Sequence, residues 1–127
     1  MAIAGRVKVF FDGGWRPASG METAVVLRGQ DYVRQGLGPG SAMEAEWLAL
    51  LHAVEIARAS GVVDPVFCGD SLAVIGQASG VVACRSGSRE YLKALTEFAY
   101  PAGSLRLRHV GRSQNLAGIA LARLHER

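Results

Sequence analysis

The order of the predicted strands and helices is the feature that most restricts how this chain can fold. Three apolar or β-branched segments, residues 7–11, 21–28 and 32–37, are joined only by short turns rich in Gly, Pro and Ser. Such an arrangement predicts an antiparallel meander of three strands. Residues 42–59 instead repeat apolar side chains at helical spacing, directly after Ser41, a residue type that caps helices well.

The second half of the chain alternates between helices and strands. Two further strands are predicted at 62–70 and 104–110, with helices at 71–79, 89–100 and 113–127 and a loop at 80–88. Because helices separate the first, fourth and fifth strands, these three should pair in parallel. The predicted fold class is therefore α/β: a five-stranded mixed sheet, with three antiparallel strands followed by parallel strands 4 and 5, flanked by helices. With 127 residues and no internal linker, we expect one domain over residues 1–127.

Membrane insertion and secretion are not expected for this sequence. No apolar stretch reaches the roughly 18 residues that span a bilayer. The first residues, "MAIAGRV", lack the charged start, apolar run and cleavage site of a signal peptide. Cys68 and Cys84 are not spaced as metal ligands. We therefore expect a cytoplasmic protein with reduced cysteines and no membrane partner.

Positive charge is concentrated toward the end of the chain, although the net charge is only +3. After Glu97 the single acid is Glu126, whereas this region holds five arginines: Arg106, Arg108, Arg112, Arg123 and Arg127. Arginine suits bidentate contacts with phosphate, which favours a polyanionic partner. A solvated basic surface without a partner is the alternative, and charge alone does not separate the two interpretations.

Two carboxylates follow strands that are predicted to be parallel. Asp12 comes directly after the first strand, and Asp70 after the fourth. Ligands bind at the carboxyl ends of parallel strands, so these acids should meet at one edge of the sheet. A divalent cation such as Mg²⁺ or Mn²⁺ would relieve their repulsion, and Gly13 and Gly14 would let a phosphate approach the backbone. The alternative is that Asp12 only forms a turn and Asp70 only caps a helix.

A third acid is available in the first turns of the long helix. Glu44 and Glu46 lie about 200° apart around the helix axis, so they cannot both face one site. Glu46 shares its face with small or apolar residues such as Ala49, Leu50 and Ala53, which would let the helix lie close to the sheet. Glu44 suits a solvated position near the positive end of the helix dipole. The spacing favours Glu46 without excluding Glu44.

These segments together resemble the type 1 ribonuclease H family over nearly the whole chain. The matching stretches are "FFDGG", "SAMEAEWLALLHAVEIA", "FCGDSLAVI" and "RHVGRSQNLAGIALARL". The resemblance implies a ribonuclease H-like fold in which Asp12, Glu46 and Asp70 are catalytic and bind two divalent metals, Mg²⁺ or Mn²⁺. It also implies hydrolysis of the RNA strand of an RNA–DNA hybrid by two metals about 4 Å apart. Hybrids would be selected through contacts to the 2′-hydroxyl.

Five further residues are predicted to bind the substrate. Gly13, Gly14 and Ser41 would lie beside the acids, and Arg112 and Asn115 would contact phosphate at the start of the last helix. By resemblance, Arg112 takes the position of a histidine in a flexible loop of the family.

One residue departs from the family pattern at a position that matters for metal binding. The fourth acid of the family falls on Ile119, and Glu126 is roughly 10 Å further along the helix, too far to replace it. We therefore expect weak binding of the second metal and weak activity. The alternative is a catalytically degenerate ribonuclease H-like module that binds nucleic acid or a protein. A phosphate loop of the actin or sugar-kinase type would need two lobes, for which the chain is too short.

Overall fold

The computed structural model describes residues 6–84, 86–97 and 105–125. The strands are β1 (Val7–Arg16), β2 (Gly20–Leu27), β3 (Gln30–Arg34), β4 (Pro65–Gly69) and β5 (Arg106–His109). The helices are α1 (Ala42–Ala59), α2 (Leu72–Ala78), α3 (Arg89–Glu97) and α4 (Leu116–Leu124). Short 3₁₀ turns precede α3 and α4, at Ser86–Ser88 and Arg112–Gln114. Among the described helices, none combines the length and apolar character that crossing a bilayer requires.

The strands form one five-stranded mixed sheet in the order β3-β2-β1-β4-β5. Strand β1 pairs antiparallel with β2, and β2 pairs antiparallel with β3. Strands β1, β4 and β5 run parallel to one another. The predicted meander, the parallel pairing and the α/β fold class are therefore confirmed.

Helices cover both faces of the sheet but not to the same extent. On one face, α1 packs its small side chains Ala49 and Ala53 close to Val9 and Phe11 of β1. On the other face, α4 packs on β1 and β2 through a smaller cluster that includes Ala117 and Leu121. Since α4 does not cover all of β1, Lys8 is exposed, although the apolar residues on either side of it are at least half-buried.

The first strand extends beyond the predicted end at Asp12. Its parallel pairing with β4 stops at Phe10, opposite Cys68, whereas its antiparallel pairing with β2 continues as far as Arg16 and Gly20. The predicted turn over residues 13–20 is thus mostly strand. Asp12 lies at the point where β4 separates from β1, which opens the sheet edge beside its side chain.

Other element boundaries differ by a few residues from the predicted ones. Strand β3 begins at Gln30 because Arg28 and Gly29, with φ of 52° and 78°, form the preceding turn. Helix α4 begins at Leu116 because Asn115 caps it. The ends predicted for the last two helices, residues 98–100 and 126–127, lie outside the described residues, as does Glu126.

Candidate functional site

Three carboxylates converge at the edge of the sheet where β1 and β4 separate. One oxygen from each of Asp12 on β1, Glu46 on α1 and Asp70 after β4 lies within 4.8 Å of the others. They line an open cavity of 620 Å³. The complete lining is Asp12, Gly13, Ala42, Glu46, Asp70, Ser71, Arg112, Gly118, Ile119 and Ala122.

A close contact between β1 and α1 turns Glu46 into this cavity. The Gly13 backbone N–H donates a hydrogen bond to Oε1 of Glu46. A Cβ atom at Gly13 would lie 2.1 Å from the carbonyl oxygen of Ala45, so no side chain fits there. Gly13 is therefore needed for helix packing, rather than only for the approach of a phosphate. Glu44 instead accepts a hydrogen bond from the hydroxyl of Tyr91, at 3.0 Å.

Asn115 holds the C-terminal helix and one of the acids in place. Its Oδ1 accepts from the Ala117 N–H at 3.1 Å, and its Nδ2 donates to the Phe11 carbonyl at 3.0 Å and to Oδ2 of Asp70 at 3.1 Å. The side chain is completely buried. The predicted phosphate contact of Asn115 is therefore wrong, because both of its polar atoms face the protein interior. In the sequence, Asn115 lies directly before apolar residues at helical spacing, and this position indicates a helix cap.

The other predicted substrate-binding residues do not all line the cavity that holds the acids. Arg112 lines the cavity. Ser41 caps α1, with its Oγ accepting from the Glu44 N–H at 3.1 Å, and it is Ala42 that lines the cavity. Gly14 lines a neighbouring cavity of 490 Å³, together with Trp15 and Glu22, rather than the acid cavity.

Helix α4 forms the remaining wall of the acid cavity. Ile119 is 37% exposed there. A Cβ atom at Gly118 would lie 3.3 Å from Oδ2 of Asp12, so the helix backbone passes close to that carboxylate. Gly118 and Ala122 were not predicted to lie at the site, since small residues on a helix give no sign of a ligand. The wall that faces the acids from α4 is therefore made of apolar groups.

Sequence comparison identifies the family to which this arrangement belongs. Residues 11–125 match the protein family described as reverse transcriptase-like. The chain belongs to this ribonuclease H-like family. No curated protein is significantly similar to the ribonuclease H-like chain in sequence.

Solved structures of ribonucleases H share the fold of this ribonuclease H-like domain. RNase H1 from the halophilic archaeon Halobacterium salinarum is 26% identical, with a TM-score of 0.77 over 92% of this chain and 94% of that one. The N-terminal RNase H domain of a Mycobacterium tuberculosis protein is 19% identical, with a TM-score of 0.72 over 92% and 95%. An RNase H1 isolated from compost, solved in complex with an RNA/DNA hybrid, is 18% identical, with a TM-score of 0.72 over 87% and 88%.

Two acids of the ribonuclease H-like domain, Glu46 and Asp12, have raised pKa values. Burial, above all, raises the pKa of Glu46 to about 9, and the neighbouring carboxylates add to this effect. Burial also raises the pKa of Asp12 to about 6, against the opposing influence of its hydrogen bond with Glu46 and of Arg112. A protonated Glu46 thus donates to Asp12. Because all three donors are carboxylates, they fit a hard divalent cation that would replace this proton.

The proton that Glu46 shares with Asp12 should make the stability depend on pH when no metal is present. The pKa of Glu46 is higher in the folded than in the unfolded state, so its contribution to stability is lost as the pH rises toward 9. In EDTA, the free energy of unfolding should fall between pH 7 and 9, with a limiting slope of about 1.4 kcal/mol per pH unit. Denaturant titrations would measure this slope, which Glu46→Gln should abolish.

A second buried group, His52, changes the stability at lower pH, so the measurement should stay above pH 7. His52 hydrogen-bonds to Oγ1 of Thr23 at 2.8 Å, and burial lowers its pKa from 6.5 to about 4. Its contribution to stability therefore has the opposite sign and is lost as the pH falls below 6.5. Above pH 7, where His52 has no effect, the free energy of unfolding then reports on Glu46. If it has the same slope against pH in the wild-type protein and in Glu46→Gln, Glu46 does not share a proton with Asp12.

Proposed function

We propose that this domain is a metal-dependent ribonuclease that cleaves the RNA strand of RNA–DNA hybrids, with weak activity. The observation that carries the proposal is the convergence of Asp12, Glu46 and Asp70 on one open cavity. When all three are ionised, these buried or half-buried carboxylates repel one another, and within the described residues only Arg112 contributes an opposing charge to Asp12. A structural role would not require this arrangement, whereas a cation site does.

Two of the three acids would hold the cation with the support of a neighbouring group. Gly13 orients Glu46 through its backbone N–H, and Asn115 orients Asp70 through its side-chain amide. When bound, Mg²⁺ or Mn²⁺ would activate water and offset the charge on the leaving oxygen. Arg112, at the cavity wall, would hold a phosphate of the substrate with its guanidinium group.

Ile119 would limit the activity. We propose that it occupies the place of the fourth acid in ribonucleases H of type 1. Isoleucine offers no ligand atom, and its apolar surface on the cavity wall disfavours a hydrated cation. The residues present thus fit one divalent ion well and a second ion poorly. This same observation favours the second candidate function, a domain that binds hybrids without cutting them.

A cleavage assay separates the two functions. A hybrid with a labelled RNA strand would be incubated with the protein in Mg²⁺, in Mn²⁺ and in EDTA. We expect slow cutting of the RNA strand that needs a metal and is faster in Mn²⁺, whereas a DNA duplex of the same sequence should stay intact. If the hybrid is bound but stays uncut in both metals, the second candidate function, binding without cutting, replaces the nuclease function.

Arg112 should contribute one phosphate contact to hybrid binding. Replacing it with alanine should weaken binding and reduce the slope of log affinity against log salt by about one. Fluorescence anisotropy at several salt concentrations in EDTA would measure both effects. If the slope equals that of the wild-type protein, Arg112 does not contact a phosphate and is only a solvated surface residue.

A further inference from the structure

Half of one sheet face has no helix packed over it in the described part of the chain. Helix α4 lies on β1, β2 and β3, whereas β4 and β5 are contacted by α1 and α2 from the opposite face. Phe10 packs beneath α4, so Lys8, two residues earlier on β1, points to the same side. The pairing places Lys8 in register with Val66 and Arg106, and Phe10 in register with Cys68 and Arg108.

Cationic side chains surround this open area. It forms a shallow depression of 580 Å³, lined by Arg6, Lys8, Val66, Arg106, Leu107 and Arg108. We call its four cations, Arg6, Lys8, Arg106 and Arg108, the basic face. In the described ranges, one acid pairs with them: Asp64 lies 3.7 Å from both Arg6 and Arg106. Lys8 and Arg108 have no ion-pair partner among the described residues, so the basic face carries excess positive charge.

The chemistry of this surface fits a phosphate backbone better than a protein. Protein interfaces have an apolar core, and here the apolar lining consists of the half-buried Val66 and Leu107. Interfaces with nucleic acid are more polar and strongly cationic, and three of the four cations are arginines, which bind phosphate in bidentate fashion. Neighbouring strands are about 4.8 Å apart, so Lys8 and Arg106 can contact groups about 10 Å apart.

Two strands, β1 and β5, connect the basic face with the acid cavity. Strand β5 leads from Arg108 through three residues to Arg112 at the cavity wall. Lys8 precedes Asp12 by four residues of extended chain, about 13 Å. A nucleic acid seated at the acids would have to extend about 13 Å along the sheet to reach Lys8, passing beside α4, which covers Phe10.

We propose that the basic face binds the phosphate backbone of the same nucleic acid that enters the acid cavity, about 13 Å from the acids. The inference rests on the proposed function in one respect, that the ligand is a nucleic acid. Lys8 and Arg108 are the residues that carry it, because neither has an acid as ion-pair partner within residues 6–84, 86–97 and 105–125.

The test compares two double variants that each remove two positive charges. Lys8→Gln with Arg108→Gln removes them from the basic face. Arg28→Asn with Lys93→Gln removes them elsewhere, and asparagine tolerates the positive φ of position 28. Binding of a labelled hybrid would be measured by anisotropy in EDTA at several salt concentrations. We expect the basic-face variant to bind more weakly, with a salt slope reduced by about two, and the control to match the wild-type protein.

The outcomes separate this proposal from the nuclease function. Equal slopes in the two folded double variants, with thermal unfolding as the check on folding, would overturn the basic face as a binding surface and leave cleavage unaffected. A reduced slope in a protein that never cuts would support the basic face and overturn the nuclease. If the basic-face variant instead loses only its affinity for an oligoglutamate peptide, the partner is an acidic protein and the proposal is wrong.

Discussion

Replacing Ile119 with aspartate should raise the rate of hybrid cleavage by orders of magnitude. Ile119 lies on the cavity wall, one residue after Gly118, whose backbone passes close to Asp12. A carboxylate there would add a fourth ligand and let the cavity hold a second cation. Groups that merely orient metal ligands change affinity or activity about 10- to 100-fold, so a direct ligand should have a larger effect. Cleavage rates and calorimetric titration with Mn²⁺ would measure the gain in activity and in bound metal.

Two matched variants would show that the charge at this position is responsible. Ile119→Asn has nearly the shape of the aspartate variant but no charge, and Ala122→Asp adds a carboxylate at another position of the same cavity wall. Neither should increase cleavage as Ile119→Asp does. If Ile119→Asp folds, binds the hybrid and still does not cut, the idea of a nuclease limited by one missing ligand is wrong.

Replacing Asp12 with asparagine should abolish metal-dependent cleavage and at the same time stabilise the metal-free protein. The variant loses a charged ligand from a cluster of three. The pKa of Asp12 is raised by burial, so its ionised form at pH 7 lowers the stability of the folded state. Removing that charge should raise the free energy of unfolding in EDTA by about 1–2 kcal/mol, less than the full pKa shift implies because Asp12 is only partly buried. Asparagine also keeps an oxygen that can accept from Glu46.

Thermal unfolding with and without Mn²⁺ would measure both effects. The wild-type protein should gain stability from the ion, and Asp12→Asn should gain little. Asp31→Asn, an exposed change on the edge strand β3, is the matched control and should behave as the wild-type protein does. The proposed metal site would be contradicted if Asp12→Asn kept its metal affinity. It would also be contradicted if Asp12→Asn were less stable than the wild-type protein in EDTA.

The fold could be predicted because its signals are local. Three strands with short turns, followed by alternating helices and strands, leave few topologies, and the observed sheet has the predicted pairing. The convergence of Asp12 and Asp70 followed from that topology. The choice of Glu46 over Glu44 needed more than helical spacing, because it depends on how closely the backbone of α1 approaches Gly13.

What the sequence did not predict depends on contacts between distant segments. Asp12 was expected to end its strand, but β2 continues to pair with β1 beyond it. Asn115 was expected to contact phosphate, yet its amide donates to the carbonyl of Phe11 and to Asp70. The basic face likewise arises from pairing between β1, β4 and β5, since its cations are spread over the sequence.

The hydrogen bonds of Asn115 also bear on the order in which the molecule assembles. Asn115 meets Phe11 across 104 residues of chain, whereas Gly13 and Glu46 are 33 residues apart. Closing the longer loop costs more chain entropy, and contacts of high sequence separation slow folding. We therefore expect Asp70 to gain its partner only when α4 docks, after the contact between Gly13 and Glu46 has formed. A divalent cation that binds the finished cavity should consequently slow unfolding much more than it accelerates refolding.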